Sequence, residues 1–182
     1  MNLINFLNPL LHAHPQLGSA SGFWHGFAHP FSGLDHTIAM IAVGIWAYQI
    51  GGKATWLIPL SFVGTMIIGG IIGIMGVQVP FVETGIILSV LILGVLITAS
   101  FRLPIVAGMI LVGVFALFHG HSHGTEIPVL VSGAAYSAGF AISTIMLHAS
   151  GIAVGAVIGR RAYAFRYVGA LILVVSGIMF LW

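Results

Sequence analysis

Six apolar runs, each bounded by proline, glycine or charge, account for most of this chain: about 31–50, 56–76, 84–101, 104–120, 129–159 and 165–182. Each is near the roughly 20 residues that a helix needs to cross a bilayer. None alternates apolar and polar positions as a barrel strand does, and lipid leaves no water to satisfy unpaired backbone groups. The pattern predicts an all-α fold, a polytopic membrane bundle of about six transmembrane helices with the N-terminus outside. Residues 31–182 form one domain on this reading, and 1–30 an interfacial, histidine-containing segment.

The fifth run is longer than a straight span requires and carries Ser132, Ser137, Ser143, Thr144, His148 and Ser150, which suggests a tilted or a broken helix lining a cavity. Gly151, Gly155 and Gly159 recur at four-residue spacing, as do Gly69 and Gly73, a pattern that favours close helix packing.

Composition narrows the class. Only 4% of residues are charged and 59% are hydrophobic, with mean hydropathy +1.16, too little polar surface for a water-soluble globule. The pI near 9.4 rests on five scattered basic residues without a patch that would follow a phosphate backbone, so nucleic acid is not an expected partner. There is no cysteine, which excludes disulfides, thiolate metal sites and iron–sulfur clusters.

The eight charges sort by side. With the N-terminus outside, Lys53, Arg102, Arg160, Arg161 and Arg166 fall on the inner side, as positive-inside topology requires, while Asp35, Glu83 and Glu126 fall toward the outer half. The histidines follow the acids: His12, His14, His25, His29, His36, His119, His121 and His123 are outer-side, and His148 lies within the fifth run. Counting from the inner charges at 1.5 Å per residue puts His36, His119 and His148 roughly 25, 25 and 18 Å above the inner face, so three helices are expected to present imidazoles at similar depths.

Two stretches concentrate chemistry. In "HGFAHPFSGLDHTIAM", His25 and His29 form an i, i+4 pair, Ser32 or Gly33 starts the span, and Ser32 and Asp35 have capping-box spacing. Asp35 also has a plainer reading, as a carboxylate favoured by a helix dipole. In "FHGHSHGTE", a continuing helix would align His119, His123 and Glu126, whereas an extended chain would align His119, His121 and His123. Gly120 and Gly124 favour the extended form or a sharp helix end. Either way imidazoles meet a carboxylate, a donor set for Ni²⁺, Co²⁺, Zn²⁺ or Cu²⁺ rather than Mg²⁺ or Ca²⁺. A solvated, adventitiously binding loop is the competing reading. His148 is an intramembrane ionisable group and so a functional candidate. Glu83 reads as an interfacial cap. Lys53 lacks the glycine and Ser/Thr partners of a P-loop, and no HExxH is present.

"HPFSGLDHTIAMIAVGIWA", "FHGHSHGTE" and "LHASGIAVG" resemble the HupE/UreJ family of membrane proteins, regarded as nickel permeases linked to hydrogenase and urease maturation, with cobalt suggested for some members. The family's H-x5-D-H pattern falls on His29, Asp35 and His36, and its F-H-G-x-x-H-G-x-E pattern on Phe118, His119, Gly120, His123, Gly124 and Glu126. The resemblance runs from about Gly22 through most of the chain. Family members often carry a cleavable signal peptide ending before a His-Pro segment; here the stretch before His14 is short, lacks a basic start, and is read as an interfacial piece with a His12/His14 tail.

Together these features predict a permease, not an enzyme, for a divalent transition-metal ion in a bacterial cytoplasmic membrane, Ni²⁺ first and Co²⁺ next. His14, His25 and His121, with His12, would collect the ion; His29, Asp35, His36, His119, His123 and Glu126 would form the selective site; His148 would serve onward passage. The metal (Ni²⁺, Co²⁺ or Zn²⁺) is substrate, no prosthetic group is expected, the partners are lipid and the ion, and a homo-oligomer is compatible with this reading. The rivals are a membrane di-iron oxygenase and a b-type haem carrier with His36, His119 or His148 as axial ligands.

Overall fold

The computed structural model describes residues 15–127, 131–159 and 161–181. Among them are seven α-helices and one 3₁₀ turn, and no strand: α1 (Pro15–Ala28), the turn His29–Phe31, α2 (Leu34–Ile50), α3 (Ala54–Ile74), α4 (Val82–Thr98), α5 (Ile105–Thr125), α6 (Gly133–Ile158) and α7 (Ala162–Leu181). The all-α expectation holds, and the six apolar runs correspond to α2 through α7. The helix α1 is additional: residues expected to lie in an interfacial segment form four turns packed along α6. His12 and His14 lie outside the described residues.

Four helices (α3, α5, α6 and α7) are long and apolar enough to cross a membrane, and α4 is apolar over 17 residues. The helix α2 is not among them, and its position explains why. It touches α3, α4, α6 and α7 and buries ten of its 17 residues, so it meets protein on most sides and needs little lipid-compatible surface. The outer faces are another matter: Leu60, Ile71, Val106, Ile145 and Leu171 are all exposed. Apolar surface on that scale is unfavourable in water and is what a bilayer covers.

Lipid supplies no hydrophobic drive between helices, so their association depends on close van der Waals contact, and small residues permit it. Glycine does so at three seams. Gly120 and Gly124 of α5 lie against the backbone of Met66 and Gly70 in α3, while Gly73 of α3 faces the backbone of His121 and Gly124 in return. Gly44 of α2 lies on the His148 carbonyl and Gly151 of α6 on that of Ile41. Gly26 of α1 meets Tyr136, and Gly139 of α6 meets Phe23. The helix α6 is not broken: it runs as one 26-residue helix capped by Ser132, whose hydroxyl accepts from the Ala135 N–H, 3.4 Å. At 1.5 Å per residue it exceeds a bilayer core of about 30 Å, so its length is taken up by tilt or protrusion.

The two ends of the bundle differ in chemistry. At one end Tyr48, Gln49, Thr55, Ser100 and Arg102 line a cavity of about 580 Å³, flanked by Lys53 before α3 and Arg161 before α7. The Gln49 amide donates to the Ile97 carbonyl (3.0 Å) and the Ser100 hydroxyl (3.1 Å), and the Trp46 indole N–H donates to the Phe101 carbonyl, 3.0 Å. These bonds fasten α2 to the turn between α4 and α5. The opposite end carries Asp35, Glu126 and the histidines.

A leucine at Gly124 would drive carbon into the Gly70 backbone, which has no flexible side chain to yield. Overpacking of this kind costs about 1–3 kcal/mol or more, so Gly124→Leu is expected to lower the melting temperature in detergent and the folded yield on size exclusion. Gly64→Ala, where a Cβ meets nothing within 4 Å, is expected to leave both unchanged.

Candidate metal centre

The stretch "HGHSHGT" stays helical, and α5 ends only at Thr125, with Glu126 as its C-cap. Of the two geometries open for this stretch the helix is the one observed, and for a packing reason: Gly120 and Gly124 occupy the seam with α3, where helical backbone needs them. His119 and His123, each one position before a seam glycine, are rotated by about 100° and face inward toward α2. His121 projects elsewhere, and its Nε2 is 2.7 Å from the Val77 carbonyl beyond α3.

His29 and His36 come from the turn and the start of α2. Pro30 ends α1, and the 3₁₀ turn is closed by the Ser32 hydroxyl donating to the His29 carbonyl (2.6 Å) and the Thr37 hydroxyl donating to that of Pro30 (2.6 Å). Ser32 is therefore not the cap of α2. That position is Gly33, extended and without a side-chain cap.

Asp35 does a different job. Its Oδ1 accepts from the backbone N–H of His36 (2.8 Å) and lies 2.8 Å from Nδ1 of the His36 ring. An ionised carboxylate only accepts, so Nδ1 carries the proton and Nε2, buried without a partner, keeps its lone pair. This is the carboxylate–imidazole pairing that orients metal-binding histidines. Among the described residues Asp35 is in neither ligand group, and its carboxylate holds the His36 ring.

His119 is set similarly by a residue the sequence reading overlooked. The Ser89 hydroxyl of α4 donates to the Ile86 carbonyl at 2.6 Å, so its oxygen accepts from His119 Nε2 at 3.0 Å. Nδ1 is left buried, unpartnered and unprotonated. Both ring nitrogens of His123 are buried without a partner. Ser89, a hydroxyl in an otherwise apolar run, was the available signal.

One donor atom each from His36, His119 and His123 lies within 4.8 Å of the others, and His29, His123 and Glu126 form a second group on the same criterion. The ring centroids of His36 stand 4.9 Å from His119 and 4.3 Å from His123, and His29 stands 4.8 Å from His123. Three donor atoms about 2.1 Å from one ion can all stand no more than about 3.6 Å apart, so a group spread over as much as 4.8 Å closes on an ion by contracting up to about 1.2 Å. His123 belongs to both.

Exposure falls along the series. The side chain of Glu126 is 49% exposed and that of His29 is 26%, with the two joined at 2.9 Å. The His36 side chain is 11% exposed, and His119 is 0% exposed. Phe140 covers His123 at 4.0 Å between centroids, Tyr136 lies 5.7 Å from His29, and Phe62 lies 5.6 Å from His119. This apolar wall was not legible as part of a site. His25 is exposed on α1 and outside both groups among the described residues, Glu83 is exposed in the first turn of α4, and His148 is buried deeper, across Phe62 from His119.

The family model described as "HupE / UreJ protein" matches residues 3–180. The chain belongs to the HupE/UreJ family. Within that family it is 45% identical over 171 residues to Protein HupE of Rhizobium leguminosarum bv. viciae, covering 94% of this chain and 86% of the relative. No solved structure matches. HupE/UreJ proteins are associated with nickel and cobalt transport and are a transporter-type family, not an enzyme family. Their membership and the apolar helices make this chain a multi-pass membrane protein.

Removing a carboxylate that orients a ligand typically weakens metal binding by about 10–100-fold. Asp35→Ala is expected to show that loss for Ni²⁺ and Co²⁺ in competition against a chromophoric chelator, while His121→Ala keeps the native affinity. If Asp35 only supported the start of α2, melting temperature would fall and affinity would not.

Proposed function

We propose that the chain is a permease for a divalent transition-metal ion, Ni²⁺ foremost and Co²⁺ second, in a bacterial cytoplasmic membrane with the histidine end on the outer side. The observation that carries this reading is the pair of ligand groups sharing His123, with exposure decreasing from Glu126 to His119. Imidazole with one carboxylate suits borderline divalent metals, and their availability and geometry, more than raw affinity, decide which is carried.

The residues suggest an order of events. Glu126 and His29 stand at the mouth, where the carboxylate attracts a hydrated cation; their mutual hydrogen bond opens to admit it. His123 joins as waters leave, and the same imidazole then holds the ion while His29 and Glu126 are exchanged for His36 and His119. The ion is never wholly released between stations, so no step carries the full cost of a bare dication in an apolar surround. Because Asp35 and Ser89 already hold the inner rings with lone pairs free, little reorientation accompanies the exchange. All-imidazole, uncharged ligation also keeps the inner group weak enough to let go, which conduction requires.

Orientation is supported by charge. Lys53, Arg102, Arg161 and Arg166 belong to the end opposite the histidines, the end that positive-inside topology places in the cytoplasm. The absence of cysteine from the native chain makes this testable with single-cysteine variants. In intact cells an impermeant maleimide should label Gln78→Cys, in the turn between α3 and α4, and not Thr55→Cys, with the reverse pattern refuting the orientation.

Uptake into proteoliposomes with Ni²⁺, Co²⁺ and Zn²⁺ in competition tests the activity itself. Native protein should accumulate the preferred ion, and the His36→Ala/His119→Ala double variant should reduce uptake to the level of empty vesicles. Folded native protein that moves none of the three ions would refute the permease reading.

A further inference from the structure

We infer that His148 is a second, deeper station for the transported ion, below the His36–His119 layer and bordered, like His119, by the ring of Phe62. The inference rests on the permease reading and extends it.

His148 is 2% exposed, and neither of its ring nitrogens has a hydrogen-bond partner. Among the described residues two histidines leave both ring nitrogens buried without a partner, His123 of the candidate centre and His148. Such a group costs stability where it is, and an apolar side chain of similar size would not. Its backbone is fixed as well, since Gly44 of α2 lies on the His148 carbonyl. A buried imidazole that is held in place and left unsatisfied is a ligand held ready for something that binds lone pairs.

Register between α3 and α6 places further donors on the way. Phe62 meets His148 with centroids 5.1 Å apart, and one turn toward the histidine end the Thr144 hydroxyl donates to the Met66 sulfur at 3.7 Å. Phe62 and Met66 are four residues apart on α3, as are Thr144 and His148 on α6, so the two pairs stack on one facing surface. Phe62 also lies 5.6 Å from His119, so the same ring borders both imidazoles. An ion leaving the upper layer meets the hydroxyl and thioether, and then the imidazole below. Every donor at this lower level is uncharged, and the set of imidazole, thioether and hydroxyl favours soft to borderline divalent metals over Mg²⁺ or Ca²⁺. Without a carboxylate it holds the ion more loosely than the mouth does, as onward movement demands.

The test uses the full chain. In His148→Cys, bound Ni²⁺ or Co²⁺ should give a thiolate-to-metal charge-transfer band, which can come only from position 148 because the native sequence has no cysteine. In His148→Phe, Ni²⁺ affinity at the upper groups should remain native while proteoliposome uptake falls by about tenfold or more. A folded His148→Cys protein that binds metal without the band, or a His148→Phe protein with native uptake, would overturn the inference. Should His148→Phe not fold, the spectrum of His148→Cys decides alone. Loss of transport in the native protein would instead count against the permease reading, so the two failures are distinct.

Discussion

The backbone contact between α3 and α5 is the constraint on which the site depends. Two helices approach this closely only where a side chain is missing, and Gly120 and Gly124 supply the gap at four-residue spacing. Their placement fixes the rotation of α5 about its axis. With the glycines committed to the seam, His119 and His123 have one direction available, inward to α2, and His121 has another, toward Val77. The periodicity that packs the helix also aims its chemistry. A shift of α5 by one position would put imidazole into the seam and hydrogen atoms into the site.

Polarity in a lipid-embedded bundle has to be settled internally, and the centre settles only part of it. Asp35 and Ser89 each take up one ring nitrogen, and these two bonds select opposite nitrogens of His36 and His119 for the shared space. What remains unsatisfied (Nε2 of His36, Nδ1 of His119, both nitrogens of His123) is concentrated where a cation would sit. Buried unpaired polar atoms are normally avoided in folded proteins. One donor atom from each of the three rings lies within 4.8 Å of the others, so the unpaired lone pairs and the candidate ligand group fall on the same residues.

Much of this was legible in the sequence, and the failures share a cause. The all-α class, six apolar helices and the opposition of histidines to arginines followed from hydropathy and charge, which are properties of runs rather than of contacts. Counting residues up each helix had His36, His119 and His148 converging; among the described residues His36 and His119 stand together with His123, and His148 lies on the other contact of Phe62. Three things did not follow. The geometry around Gly120 and Gly124 stayed open because glycine's role depends on what lies across from it, here the backbone of Met66 and Gly70. The hold of Asp35 on the His36 ring was not legible, because sequence proximity does not distinguish coordinating an ion from orienting the group that does. Helix α1 was foreseen only as a condition on the His25 and His29 spacing: it is weakly apolar, carries two glycines and two serines (Gly18, Ser19, Ser21 and Gly22) among its first eight residues, and packs along α6. Tertiary packing, not propensity, makes most such helices.

The choice of histidine over stronger ligands follows from what transport asks. A cluster of carboxylates in this position would carry several negative charges into a low-dielectric layer, at a cost that grows with each one. Thiolates would bind borderline metals too firmly to release them. Neutral imidazole offers a directional lone pair without net charge, and two arranged groups with one common member let coordination be exchanged piecewise. His123 carries that sharing: it lies 4.8 Å from His29 on the exposed side and 4.3 Å from His36 on the buried side, with Phe140 against its ring. A single carboxylate, Glu126, is placed where water still screens it, so attraction is strongest at the mouth and declines inward. On the proposed path an ion would exchange one neighbour at a time while the side chains around it become steadily less exposed, from Glu126 to His119.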